Sequence, residues 1–299
     1  MLIKQKPEDF YVKEILSLDV KDSGKYLYFI LKKKDLTTIE AIKRLAIALK
    51  ANIKDFNYAG LKDRVAVTEQ YVSWKGGSKA KLESLLLDNM SFEVIGFGNN
   101  PLYLGQNDGN LFRIVVREVS APENINPKFI NLFGEQRLKE NNAEIGKALI
   151  KRDFKKAAEL LQKQAHIEIK GADYIGAIRS MPKKLLTLMV HSYQSYLWNK
   201  AAIEWANKTD ENILLSVVGF GTEDIDDITK EILKEEGVSP RDFVVRELPD
   251  ISSEGDKRNL YAVAKNLKIE KKDNSVVLEF SLPKGSYATE FVRQSFCGV

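Results

Sequence analysis

Residues 57–70 read Asn-Tyr-Ala-Gly-Leu-Lys-Asp-Arg-Val-Ala-Val-Thr-Glu-Gln and set one carboxylate, Asp63, between two cations, Lys62 and Arg64. Cations within a few ångströms favour the charged form of a carboxylate. An ionised carboxylate on a loop, beside cations able to hold phosphate, can serve as nucleophile or base on a nucleic acid. The same triplet also describes an exposed charged turn, because charged residues are mostly surface residues. Gly60 lets the backbone turn tightly just before it.

The flanking elements must present this loop. Thr37 and Glu40 form a capping box. The helix it starts carries Ile39, Ile42, Leu45, Ala46 and Leu49 on one face and ends near Lys50. Residues 68–74 are β-rich and half apolar, which predicts a core strand leaving the loop. Alternation over residues 24–33, around Leu27, Phe29 and Leu31, predicts a half-buried strand. Residues 79–88 read as a short helix and 92–97 as a strand. Residues 1–15 combine a Pro-Glu-Asp turn with a short alternating strand. Residues 108–117 are a turn feeding another strand, where Asn110 and Phe112, two apart, face the same side.

Composition changes near residue 121, where Pro122 and Pro127 punctuate the chain, and helices rich in lysine follow to about residue 250. Residues 143–150 and 154–164 are amphipathic, with Lys147, Lys151, Arg152, Lys155, Lys156 and Lys163 on their solvent faces. Such faces are usually solvated surface, yet beside an RNA cleft they suit phosphate contacts. Residues 185–205 form the longest helix, with a stripe of Leu185, Leu188, Met189, Tyr196, Leu197 and Ala201. An acidic helix over 223–236 closes at Gly237 and Pro240. Strands over 259–264 and 275–281 follow, then a turn at Gly285 and a short helix that Ser286 could cap.

The chain has 299 residues, enough for one sizeable core or two smaller ones. With 29% charged and 44% hydrophobic residues it has the composition of an ordinary globular protein. A net charge of +4 permits RNA binding without demonstrating it. One cysteine, Cys297, excludes an internal disulfide and a cysteine zinc site. Two histidines, His166 and His191, argue against a histidine metal centre. No apolar run approaches the ~18 residues needed to span a bilayer. Lys4, Lys6, Glu8 and Asp9 interrupt any signal-peptide core, so a cytoplasmic location is expected.

Residues 58–70 resemble the signature of the TruD family of tRNA pseudouridine synthases, close to A-G-x-K-D-[RK]-x-A-x-T-x-Q. The resemblance implies that Asp63 is the catalytic residue shared by pseudouridine synthases. Residues 4–14 resemble the family opening K-x-x-P-E-D-F-x-V-x-E, which implies an active-site role for Lys4 and for Phe10. A lysine paired with the catalytic carboxylate would orient it, and a phenyl ring would wall the base pocket. Asn110 and Phe112 match G-N-x-F-x-I, where the family's Phe is thought to stack on the target base and its Asn to order the site. Residues 129–137 resemble P-N-Y-F-G-x-Q-R-F-G, which opens the family's inserted TRUD domain. Ile130 stands in place of the Pro and Leu138 in place of the final Phe. Residues 191–199 resemble S-A-Y-Q-S-Y-L-F-N, a packing segment in which Gln194 and Asn199 are the groups that could touch RNA. Residues 254–260 resemble the return segment G-x-R-R-x-L, with Lys257 and Arg258 as its basic pair. Residues 282–293 match L-P-x-G-S-[YF]-A-T-x-x-[LV]-R.

These segments spread the resemblance over nearly the whole chain. They imply an α+β protein: a pseudouridine synthase domain from residues 1–126 and 252–299, around a mixed, largely antiparallel sheet, and an inserted, helix-rich α/β TRUD domain at 127–251. The implied reaction detaches uracil from C1′, rotates it and rejoins it through C5. It needs no cofactor and no metal, and no obligatory protein partner is evident. The expected substrate is tRNA, at uridine 13. The short insert and the Gly219-Phe220-Gly221-Thr222 loop, where a G-P-G-L-W type is absent, point to an archaeal-type member. Another RNA site, such as tRNA uridine 35, or a tRNA-binding folding factor are the alternatives. The expected active site is Asp63 with Lys4, Phe10, Lys62, Asn110 and Phe112.

Overall fold

Alternation builds the first layer of the structure, a computed structural model that describes residues 1–120, 122, 124–135, 137–138 and 141–298. Strand β1 (Phe10–Ile15) buries Phe10, Val12 and Glu14, and β2 (Tyr26–Lys34) buries Leu27, Phe29, Leu31 and Lys33. Helix α1 (Thr38–Leu49), β3 (Phe56–Tyr58), β4 (Val67–Lys75), α2 (Lys79–Glu83), β5 (Met90–Gly98) and β6 (Gly109–Arg117) follow. Then come β7 (Lys128–Ile130), α3 (Asn142–Ile150), α4 (Phe154–Ala165), α5 (Tyr174–Arg179), α6 (Lys183–Ala206), β8 (Leu214–Val217), α7 (Asp227–Glu236), β9 (Asp256–Asn259) and β10 (Tyr261–Val263). The chain closes with β11 (Lys265–Lys272), β12 (Ser275–Pro283) and α8 (Ala288–Cys297). Two units result. One comprises Met1–Pro127, Val263–Ala288 and Ser295–Gly298, the other Lys128–Ala262 and Thr289–Gln294.

The first unit is a mixed sheet in the order β11-β12-β6-β1-β4-β2-β5, with β3 also paired to β4. β1 runs parallel to β4, and the other pairings are antiparallel. Register lines up one face: Glu14 opposes Asn110, Val12 opposes Phe112, and Phe112 opposes Phe280. Across β2 and β4, Leu27, Phe29, Leu31 and Lys33 oppose Trp74, Val72, Gln70 and Thr68. Buried Ala41, Ile42, Leu45 and Ala46 of α1 join Leu27, Phe29, Leu31, Val72 and Trp74 in one core cluster.

The capping box forms as expected, with Thr37 Oγ1 accepting from Glu40 N and a Glu40 carboxylate oxygen accepting from Thr37 N. The phase of the helix differs from the expected stripe. Ile39 is 47% exposed, because the inward position in that turn belongs to Thr38, whose hydroxyl donates to Gln70 Oε1 at 2.8 Å. The expected helix over 79–88 stops at Glu83, and Leu87 makes a bridge with Met90 instead. The sequence reading missed β11, whose Lys-Asn-Leu-Lys-Ile-Glu-Lys-Lys run is the charged pattern of an edge strand. Gly285 adopts φ 82°, the left-handed turn expected there, but Tyr287 rather than Ser286 occupies the cap position of α8.

The second unit centres on α6, against which α3 and α7 pack. Leu186, Met189, Val190, Tyr193, Leu197, Trp198 and Ala201 are buried, whereas Leu185 and Leu188 are exposed. Ser192, Gln194 and Ser195 are buried too, so α6 is covered around most of its circumference and no single stripe marks it. Helix α7 starts from an Asp226 cap and ends on Gly237 at φ 63°. Its Glu236 accepts from Lys147 at 2.6 Å and Lys200 at 3.3 Å. Gln136, within the segment 129–137, lies outside the described residues.

Candidate active site

The loop carrying Asp63 joins β3 to β4, and both of its alanines, Ala59 and Ala66, are fully buried. Gln70 on β4 donates from Nε2 to Gly60 O at 3.2 Å and accepts the Thr38 hydroxyl. Thr38 Oγ1 in turn accepts from Lys62 N at 2.9 Å. A strand, a helix terminus and the loop are thereby tied through two side chains.

Neither cation flanking Asp63 in sequence pairs with it, contrary to expectation. Lys62 turns inward, its Nζ donating to Glu14 Oε1 at 2.9 Å and to Asn110 Oδ1 at 2.8 Å. The Glu14 side chain is fully buried, and its Oε2 accepts from Tyr71 N at 2.9 Å. A buried ion pair persists only where its remaining polar atoms are satisfied, which Asn110 and Tyr71 accomplish. Arg64 turns outward and pairs with Glu40, the capping-box acid of α1.

The cation that faces Asp63 is Lys4, with Nζ 2.6 Å from Oδ2. The Asp63 side chain is 45% exposed, so solvent or a ligand reaches the carboxylate. Lys4 Nζ also stands 4.2 Å from the centroid of the Phe10 ring. Phe10 meets Phe112 edge-on at 6.1 Å, and Phe112 stacks on Phe280 at 5.5 Å. A polar pair thus adjoins a three-ring aromatic row. The segment bearing Lys4 is held on both sides by Arg117. Leu2 and Arg117 exchange backbone hydrogen bonds at 2.9 and 2.8 Å, and the Arg117 guanidinium clamps buried Asp9 at 2.9 and 2.6 Å. That guanidinium holds the Asp9 carboxyl below the ordinary aspartate range.

The structure therefore brings Asp63, Lys4 and Phe10 into one contiguous chain of contacts extended by Phe112, and places Lys62 with Asn110 beneath the loop. Sequence reasoning missed Lys33, Thr38 and Phe280, and gave no role to Glu14 and Gln70, the last residues of the two motifs it quoted. Lys33 lies under the loop, and its Nζ donates to the Asp63 carbonyl at 3.0 Å. Glu14 and Lys33 each continue an alternating buried face, after Phe10 and Val12 and after Leu27, Phe29 and Leu31. That continuity was the available signal.

The sequence model of the family described as tRNA pseudouridine synthase D (TruD) matches residues 1–168, 159–213 and 204–295. The chain belongs to this family. As a TruD chain it is a pseudouridine synthase, an isomerase. The tRNA pseudouridine synthase D of Aquifex aeolicus is 31% identical, over 99% of this chain and 98% of that protein. A probable tRNA pseudouridine synthase D of Thermococcus sibiricus is 28% identical, over 98% and 94%. The crystal structure of a putative TruD from Methanosarcina mazei matches with a TM-score of 0.77 at 25% identity, covering 98% of this chain and 93% of that one.

Other segments that resembled TruD motifs are occupied with structure. Gln194 donates to Val218 O and Glu254 O and accepts from Ser253, while Asn199 exchanges hydrogen bonds with the Phe133 backbone. Arg258 bonds Asn131 and lies 4.2 Å over the Phe133 ring. Burial and nearby Arg137 push the His191 pKa down, the condition of a packed, uncharged ring. Most cations of the lysine-rich helices are engaged: Lys147 with Glu236, Lys156 with Glu144, Arg152 with Glu247, and Lys151 with Gly237 O. Among the described residues no helix is long and apolar enough to cross a membrane, and no group of three or more acid, histidine or cysteine side chains could hold a metal.

Proposed function

We propose that this TruD chain converts a specific uridine of tRNA, uridine 13 by the family resemblance, into pseudouridine, with Asp63 as the catalytic carboxylate. The observation that carries the reading is the pairing of an accessible Asp63 with Lys4, itself set against the Phe10–Phe112 row. Lys4 orients the carboxylate, the buried rings of Phe10 and Phe112 back the place where the base would sit, and Lys62 with Asn110 supports the loop. The first unit is the catalytic domain on this reading, and the second is the inserted TRUD domain.

The chemistry makes modest demands. The N1–C1′ bond breaks, the base turns, C5 bonds to C1′, and C5 gives up a proton while N1 gains one. A single carboxylate suffices, whether it attacks C1′, attacks C6 or removes the C2′ proton. The uridine must leave its stack, because C1′ and C5 are hindered inside it.

Two arginines of the second unit suit phosphate contacts better than its helix lysines, most of which are already engaged. A cavity of 770 Å³ there is lined by Arg241 and Arg246, by Arg152, which is held by Glu247, and by the carboxylates of Glu223 and Asp242. Arg241 and Arg246 form no ion pair among the described residues, which leaves their guanidiniums to meet an anion beside those two carboxylates.

The test is site-mapped pseudouridine in a full-length tRNA transcript incubated with pure protein, with Asp63→Asn in parallel. Pseudouridine at position 13, absent with the variant, supports the whole reading. Modification elsewhere moves the target. Tight binding without modification would replace the enzyme by an RNA-binding folding factor.

A further inference from the structure

Strand β2 carries three consecutive lysines, and alternation separates their fates. Lys32 and Lys34 face out and pair with Glu69 and Glu8. Lys33 faces in and is 1% exposed. Its Nζ donates to two backbone carbonyls, Leu36 O at 2.5 Å and Asp63 O at 3.0 Å. Its side chain forms no ion pair among the described residues. Burying an ammonium this way is costly, and an apolar side chain would fill the same place without that cost.

We propose that Lys33 is the positioning residue of Asp63, its buried ammonium holding the main chain of the catalytic loop where the carboxylate must meet the RNA. The inference rests on the Asp63 reading given above. Three anchors converge on this short stretch. Thr38 Oγ1 accepts from Lys62 N, Lys33 fixes the Asp63 carbonyl, and Lys4 fixes the Asp63 carboxylate. Leu36 O, the second acceptor of Lys33, directly precedes the α1 cap, so one ammonium staples the helix start to the loop. Remove its charge and the loop keeps its ends but loses its middle.

The charge is also adjustable. Burial lowers the Lys33 pKa to about 8; Lys62 adds to the depression, while Asp63 and Glu40 oppose it. Above that pH the neutral amine holds the Asp63 carbonyl less strongly, since charge-assisted hydrogen bonds are roughly twice as strong as neutral ones. Stability moves the other way. Between the folded value and the unfolded value of roughly 10.4 the unfolded chain binds the extra proton, so this group makes stability rise with pH. A lysine that only filled space would not separate rate from stability.

The experiment compares the full-length chain with Lys33→Met and Lys33→Arg. It reads amide hydrogen exchange over residues 59–66, single-turnover pseudouridine formation and melting temperature, each across about pH 6.5–9.5, the range that brackets the Lys33 titration. Losing one charge-assisted bond predicts that Lys33→Met lowers the rate about 10- to 100-fold at neutral pH, with RNA affinity nearly unchanged. Exchange in the loop accelerates while protection in β4 holds. The unmodified chain loses rate and loop protection above about pH 8 without losing melting temperature, and Lys33→Met shows no such limb. Lys33→Arg, which keeps the charge, restores part of the loop protection. Unchanged loop exchange, or a Lys33→Met rate near that of the parent, overturns the proposal. Should Lys33→Met fail to fold, the pH dependence of loop exchange in the parent chain, corrected for intrinsic rates, decides alone. Absence of modification on any tRNA would overturn the Asp63 reading instead, and loop exchange would still decide whether Lys33 holds the loop.

Discussion

Lys4 and Asp63 lie 59 residues apart in sequence, yet their side chains meet at 2.6 Å, and both remain accessible to solvent. Lys4 is therefore the partner that a substrate would find already in place. Replacing it by Met removes one charge-assisted hydrogen bond, worth about 1.5–3 kcal/mol, which predicts a turnover about 10- to 100-fold lower. Single-turnover kinetics with a tRNA transcript, set beside a binding isotherm, checks that the loss falls on the chemical step and not on affinity.

The Lys62–Glu14 pair is sealed from water and predicts strong non-additivity. Either Lys62→Met or Glu14→Met alone strands a buried charge and should cost about 3–5 kcal/mol of stability. The double variant should cost distinctly less than the two together, because it removes both charges. Urea denaturation of the four proteins measures the coupling.

Asp9 gives the structure an acid-sensitive clasp. Arg117 lowers its folded pKa, so the stabilisation is complete above the unfolded value, near 3.9, and is lost as pH falls through the folded value. Asp9→Asn should flatten the fall of melting temperature below about pH 4 and should cost stability at neutral pH. Thermal melts of both proteins from neutral to acid pH show whether the two curves converge.

Arg241→Glu with Arg246→Glu should leave the first unit untouched and weaken RNA binding. Loss of two phosphate contacts predicts a log–log salt slope shallower by about 2, with turnover at saturating RNA unchanged. Binding titrations at several salt concentrations give the slope directly. The same change at Lys147, already spent on Glu236, should alter stability and not the slope.

Much of the first unit was legible because its signals are local. The Thr37–Glu40 box starts α1, period-two alternation marks β1 and β2, a β-rich run marks β4, a turn announces β6, and the Asp63 loop carries a recognisable pattern. What escaped was set by contacts distant in sequence. Nothing near Lys62 says that it will turn towards Glu14 and leave Asp63 to Lys4. Nothing in three successive lysines separates Lys33 from its neighbours except continuation of the apolar alternation one step further. The long helix α6 hid its buried residues for the opposite reason, since an almost fully covered helix shows no contrast between faces. Strand β11 was missed because its charged residues protect an edge and so resemble a loop.

Placing β1 between β4 and β6 has a consequence for how the protein is made. Strand β6 pairs on its other side with β12, and Phe112 finds its stacking partner in Phe280 of that strand. During synthesis the aromatic row beside Lys4 cannot be complete until β12 has emerged, after residues 128–262 of the second unit. The nascent sheet must wait with an unpaired β6 edge, the kind of exposed strand that invites aggregation. Long-range pairing of this sort also folds slowly. A ribosome-bound chain stalled before β12 would carry Asp63 and Lys4 but neither Phe280 nor the finished aromatic row.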